Sequence, residues 1–192
     1  NKGEILVDDI NVRDYNLHSL RTHTGLVLQD VFLFSDTIAN NISLNDPKIT
    51  RAQIIEASKA VGAHEFIMRL PDNYDYNVME RGAMLSVGQR QLIAFIRAYV
   101  FNPAILILDE ATSSIDTESE ILIQKAIDKL TVNRTSIIVA HRLATIQKAD
   151  IILVFEKGEI VERGSHQQLL EQNGYYKRLF DLQFKEQNKQ VA

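Results

Sequence analysis

The chain has 192 residues, 45% hydrophobic and 24% charged, with a formal net charge of −4 and no cysteine. That length allows one domain with a real core. The weak negative balance argues against a nucleic-acid footprint, and the lack of cysteine excludes disulfides and thiolate metal sites and fits a reducing compartment. No stretch approaches the ~20 apolar residues of a membrane-spanning helix. The longest, Ala98 to Leu108, is interrupted by Asn102 and Pro103. The N-terminus, Asn1-Lys2-Gly3-Glu4, has neither an initiator Met nor the apolar run of a signal peptide, so the chain reads as starting inside something larger or as processed.

Ile5-Leu6-Val7 and Gly25-Leu26-Val27-Leu28 are predicted strands, the second ending at Gln29. Scattered apolar residues from Val31 to Ile42 predict a surface-packed loop and a short helix. Thr50 is positioned to cap a helix from Arg51 to about Val61. Ala63 to Leu70 reads as a second short helix, stopped by Pro71, and Asp72 to Gly82 is polar and turn-rich. Ser86, with Gln89 three residues on, forms the capping-box pattern of a long helix to about Phe101. Ile105–Leu108 is a strand. Asp116 can cap a helix whose Ile123, Ala126, Ile127 and Leu130 share one face. Thr135 to Ala140 reads as a buried strand and Leu143 to Lys148 as a short helix. Lys157-Gly158 marks a hairpin between Ile151–Phe155 and Glu159–Val161. Ser165 caps Gln167–Leu170. An amphipathic helix runs from Tyr175 to about Gln187, and the polar tail from Lys185 is expected to fray. Apolar, non-alternating strands separated by helices predict a parallel sheet covered on both faces.

Two segments carry chemistry. Ile105-Leu106-Ile107-Leu108-Asp109-Glu110 is an apolar strand ending in two carboxylates. In an open parallel sheet, ligands bind beyond the C-terminal strand ends. A carboxylate there can hold Mg²⁺, and the next can orient or deprotonate a water. Taken alone, the pattern also describes a strand that simply stops at polar residues. In Leu85-Ser86-Val87-Gly88-Gln89, a helix N-terminus offers free N–H groups and a positive dipole end to an anion. Gly88 permits close backbone approach and Ser86 adds a donor; the plain alternative is an ordinary capped helix. His141 and Arg142 follow the strand Ser136–Ala140, and Gln29 ends another strand. Nowhere does G-x-x-x-x-G-K-S/T occur, the loop that cradles phosphates.

The run from Leu85 through Gln89-Arg90-Gln91-Leu92-Ile93-Ala94-Phe95-Ile96-Arg97-Ala98, with the strand ending Asp109-Glu110, resembles the signature and Walker B segments of the ATP-binding cassette (ABC) ATPases. The resemblance covers residues 3–184. It departs from the common pattern at Val87, where Gly is frequent, at Asp9 and Asp36, where Gly is usual, and at Phe95-Ile96-Arg97-Ala98. It implies an α/β fold: a truncated P-loop NTPase (ABC ATPase), with a mainly parallel sheet flanked by helices and an α-helical signature subdomain. The expected layout is a partial ATPase domain over 1–184, its helical subdomain inserted at about 40–101, and a polar tail at 185–192.

By that resemblance the cofactors are ATP and Mg²⁺. Asp109 and Gln29 would hold the metal, and Glu110, His141 and Gln29 would serve hydrolysis. Ser86, Val87, Gly88 and Gln89 would contact a partner's ATP, and Asp116, after Ser113-Ser114-Ile115, would communicate between two cassettes. Val27 through Phe34, with Thr37-Ile38 and Asn41-Ile42, resembles the exporter-type Q-loop region. Glu80-Arg81-Gly82 resembles the exporters' x-loop, its alternative being a solvated turn. The implied partners are a second nucleotide-binding domain, in a homo- or heterodimer, and a transmembrane domain reached through the Q-loop and Glu80-Arg81-Gly82, with no nucleic acid. The implied location is the cytoplasmic face of the cell membrane. Without a Walker A loop this segment alone is expected to be inactive and part of its core to be bare. A soluble, non-transport ABC ATPase and a non-catalytic cassette completing a partner's site remain alternative readings.

Overall fold

The computed structural model describes residues 3–109, 117–140 and 143–190. It divides into two compact units, residues 1–139 and 140–192.

The first unit opens with a two-residue hairpin, β1 (Leu6–Val7) against β2 (Ile10–Asn11). Asp8 and Asp9 turn it at φ 47° and 63°, the left-handed pair that Asp-Gly adopts with least strain. Helix α1 (Leu17–His23), which the sequence reading left out, is capped by Asn16 and leads directly into β3 (Thr24–Val27). Thr37 caps α2 (Ile38–Ser43), and Thr50 with Gln53 closes a reciprocal box on α3 (Arg51–Val61). Helix α4 (His64–Met68) ends before Pro71, and two single 3-10 turns follow, at Asn73–Asp75 and Glu80–Gly82. Helix α5 (Val87–Phe101) is the hub, packing against α2, α3, α6 (Thr117–Leu130) and β3. The expected face of α6, Ile123, Ala126, Ile127 and Leu130, is buried.

Strands β3, β4 (Ile105–Asp109) and β5 (Thr135–Val139) form a parallel sheet in that order. Gly25 of β3 sits where a Cβ would lie 2.5 Å from the Pro103 ring. Only a residue without a side chain lets the chain entering β4 approach so closely. The ladder aligns Leu26, Ile107 and Ile137, then Val27, Leu108 and Ile138. Leu106 and Leu108 are buried, whereas Leu26 is 58%, Ile137 55% and Val139 51% exposed. The expectation of a buried β5 and of a sheet covered on both faces is therefore corrected. The strands alternate because helices pack on one face, and among the described residues the other apolar face lies open.

In the second unit, α7 (Leu143–Gln147) precedes the hairpin β6 (Ile152–Glu156)–β7 (Glu159–Gly164). Its turn, Lys157-Gly158, has φ 50° and 85°. Ser165 and Gln168 cap α8 (His166–Glu171) with a reciprocal box. Helix α9 runs Tyr175–Gln190, past the expected fraying point at Lys185. Glu162 of β7 caps α9 by accepting from the N–H groups of Tyr175 (2.6 Å) and Tyr176 (2.9 Å), where the positive end of the helix dipole favours a carboxylate. The Tyr176 hydroxyl bonds His166 Nδ1 at 2.6 Å, and Val154, Leu169 and Tyr176 form the small core.

The two faces of the sheet should respond differently to truncation. Leu106→Ala should cost about 3 kcal/mol through loss of burial and a residual cavity. Ile137→Ala should cost under about 1 kcal/mol because its side chain already meets water. Urea unfolding midpoints of the two variants decide this, and equal losses would mean that the Ile137 face is covered as well.

Candidate functional site

Asp109 is the last residue of the middle strand and is half-buried, in register with Val139 on β5. On the other neighbour, Val27 is in register with Leu108, and Gln29 follows two residues later, exposed in a bend. The ladder thus brings Gln29 and Asp109 to the same C-terminal sheet edge, where an open parallel sheet binds ligands.

The signature segment lies elsewhere in the unit, at the N-terminus of α5. Ser86 is its N-cap: Ser86 Oγ accepts from the Gln89 N–H (3.2 Å), and Gln89 Oε1 accepts from the Ser86 N–H (3.0 Å). These two bonds satisfy one orphan donor of the helix and one of the cap. Ser86 and Val87 are exposed, and Gly88 is buried. Glu80-Arg81-Gly82 makes a single 3-10 turn entered through Met79 at φ 58°, with Arg81 at φ 55°. The readings on Glu110, Ser113, Ser114, Ile115, Asp116, His141 and Arg142 lie outside the described residues.

The segment between Gln29 and α2 is held by a residue the sequence reading did not single out. The side chain of Asn41, itself buried, accepts from the Phe34 N–H at 2.8 Å and donates to the carbonyls of Phe34 (3.0 Å) and Thr37 (3.0 Å). The Asn41 carbonyl accepts from Arg97 Nε at 2.9 Å. Burial lowers the Arg97 pKa from its ordinary value. Phe32 and Phe34 stay exposed, edge to face at 5.1 Å. They line a cavity of about 510 Å³ with Leu28, Val31, Leu44 and Arg97. Asn41 stands two residues before a helix end in an otherwise ordinary polar run, and no local pattern flags a clamp to Phe34.

The ABC transporter family model matches residues 1–113. The chain belongs to the ABC transporter family. It is 52% identical over 181 residues to the putative multidrug export ATP-binding/permease protein YgaD of Bacillus subtilis, covering 94% of this chain and 31% of that protein. It is 55% identical over 183 residues to the ATP-dependent lipid A-core flippase of Shewanella oneidensis, covering 95% of this chain and 30% of that one. The structure of a bacterial Atm1-family ABC exporter with ATP bound superposes with a TM-score of 0.86 at 41% identity, over 95% of this chain and 32% of that one. The chain thus spans about a third of the length of these exporters, and its fold is that of an ABC ATPase, the P-loop NTPase class.

For Mg²⁺, Gln29 and Asp109 offer hard oxygen donors on adjacent strand ends, the donor type this ion takes. Among the described residues no three potential ligands cluster. The donors fit an ion that draws the rest of its shell from water and phosphate oxygens.

Asp36, a departure from the family pattern, has a local role. Its Oδ1 accepts from the Thr37 N–H (2.7 Å) and from Asn40 Nδ2 (2.8 Å), and these bonds, Asn40 first, lower its pKa. A lowered folded value gives stability that is present above about pH 4 and lost as pH falls through the folded value. Asp36→Asn keeps an acceptor but not the charge. It should therefore be less stable than wild type at pH 7, and the difference should shrink below about pH 4, as read from urea titrations across pH. A difference constant from pH 7 to pH 3 would remove the carboxylate from the account.

Proposed function

We propose that this chain is most of the ATP-hydrolysing domain of an ABC exporter, powering movement of a substrate across a membrane. The observation that carries the reading is Gln29 and Asp109 at one sheet edge in a chain that also presents a capped signature turn at Ser86–Gln89.

The roles proposed for the residues follow from their chemistry. Asp109 and Gln29 hold Mg²⁺, which when bound offsets negative charge on phosphate oxygens. Glu110 orients the attacking water and accepts its proton. His141, able to donate and accept at once, holds the γ-phosphate. Ser86, Val87, Gly88 and Gln89 present a hydroxyl and backbone N–H groups to ATP held by a second nucleotide-binding domain, and Asp116 serves communication between the two. The exposed Phe32 and Phe34 with their cavity, and the Glu80-Arg81-Gly82 turn, receive the transmembrane domain. On this reading the domain works at the cytoplasmic face of the membrane. Two similar proteins are named for multidrug export and lipid A-core flipping, so an amphipathic drug or lipid is the substrate class proposed.

One sequence observation favours a second reading for the 192 residues as they stand. With no G-x-x-x-x-G-K-S/T in them, they complete a partner's site rather than hold ATP.

Glu110→Gln in the full-length ATP-binding/permease polypeptide should cut ATP turnover by about 10²-fold or more and accumulate an ATP-bound closed dimer. Turnover unchanged in that variant would sink the catalytic assignment. The isolated chain should show no saturable binding of MgATP at micromolar concentration by calorimetry. A micromolar isotherm would instead show that the described half-site holds nucleotide unaided.

A further inference from the structure

We infer that Arg90 is a positioning residue: it ties the 79–83 turn and the segment after Gln29 to the signature turn, so that the three move as one piece. The inference rests on the reading that Ser86–Gln89 contacts nucleotide.

Gly82 has φ 68°, and a Cβ built on it would lie 2.9 Å from Leu33 Cδ1 and 3.1 Å from Arg90 Cδ. Leu33, fully buried in the segment after Gln29, and the aliphatic stem of Arg90 on α5 therefore close together on the face of Gly82 where a side chain would stand. Beyond that contact, Arg90 Nη1 donates to the Leu85 carbonyl at 2.6 Å. The Leu85 N–H donates to the Gly82 carbonyl at 2.9 Å, and the Arg90 N–H to the Ser86 carbonyl at 3.0 Å. Leu85 is thus held on its N–H by the turn and on its carbonyl by Arg90, and Ser86 comes next in the chain.

The other side of the contact is equally tied. The Ile38 N–H donates to the Tyr76 carbonyl (3.0 Å) and the Val78 N–H to the Asp36 carbonyl (3.1 Å). Residues 36–38 are stitched in this way to the strand-like stretch that enters the turn. Met79 and Arg81 hold left-handed backbone, at φ 58° and 55°, a state non-glycine residues keep only where neighbours over-determine it. A displacement of the turn or of Leu33 has no slack to absorb it before Leu85. Arg90 suits this task because its stem packs on backbone while its planar fork reaches a carbonyl; lysine keeps the stem and charge but not the fork.

Hydrogen exchange on the 192-residue chain tests the link. In Arg90→Ala, the amides of Gly82, Ala83, Leu85 and Gln89 should exchange about 10-fold or more faster relative to those of α3. Leu33→Ala, distant in sequence, should loosen the same four, and Arg90→Lys should give an intermediate effect. Ile54→Ala, which truncates a buried residue of α3, should not single them out. Acceleration spread evenly over the first unit in the Arg90 and Leu33 variants would mean that both residues merely stabilise the fold, and would overturn the inference.

In the full-length polypeptide, Arg90→Ala should raise the KM for ATP about 5-fold or more with a smaller change in kcat. An unchanged KM would also overturn it. These outcomes are separate from the Glu110→Gln result, which tests whether the site hydrolyses ATP at all.

Discussion

Helix α5 is buried around most of its circumference: Gly88, Gln91, Leu92, Ile93, Ala94, Phe95, Ile96 and Ala98 are all out of solvent. A helix with apolar residues on most sides must be surrounded, so α2, α3, α6 and β3 take their places around it. The magnitudes separate two jobs. Burying Leu92, Ile93, Phe95 and Ile96 contributes about 1.5–3 kcal/mol each, whereas the Ser86–Gln89 box contributes about 1 kcal/mol. The core therefore fixes where the signature turn stands, and the cap fixes only its local conformation.

Polar ties join this helix to α2 and to the segment after Gln29. Asn41 uses both amide functions on the backbone of Phe34 and Thr37 and gives its own carbonyl to Arg97. An aspartate there would lose the donors, and a leucine would leave the part-buried Phe34 N–H without its acceptor, each at about 1 kcal/mol. Arg97 is the less comfortable partner: its Nη2 is buried without a hydrogen bond, and burial lowers its pKa. Its Nε holds the Asn41 carbonyl, and removing it would leave that acceptor without this donor.

Much of this was legible in the sequence where local chemistry and tertiary packing agree. Thr50, Ser86 and Ser165 announce helix starts, and all three are N-caps. Lys157-Gly158 announces a hairpin, and both residues take left-handed φ. The apolar run ending at Asp109 is the middle strand of the sheet. What escaped depends on which face is covered. Ile137 and Val139 read as buried because they are β-branched or aliphatic in an apolar run, yet coverage is a property of the neighbouring layer, not of the strand. Helix α1 escaped because its seven residues offer only Leu17 and Leu20 at helical spacing, too short an apolar pattern to announce a helix. The Asn41 clamp escaped because no local pattern marks its reach back to Phe34, and the Gly82 contact because Leu33 lies far from it in sequence.

The open sheet face bears directly on the chemistry at its edge. Parallel strands are stable when both faces are covered, and Asp109 alternates onto the face of Ile105 and Ile107, aligned with Leu26, Ile137 and Val139. Any apolar layer laid on that face strips water from around the Asp109 carboxylate as it buries the neighbouring side chains. A carboxylate moved out of water costs several kcal/mol unless a cation or donors replace the solvent. The same closure that buries the neighbouring side chains would therefore desolvate Asp109 at the strand end, with Gln29 exposed just beyond the end of the adjacent strand. Coverage of the sheet and the chemistry of its edge are coupled at this residue through desolvation: the better the face is covered, the more a carboxylate there needs donors or a cation in place of water.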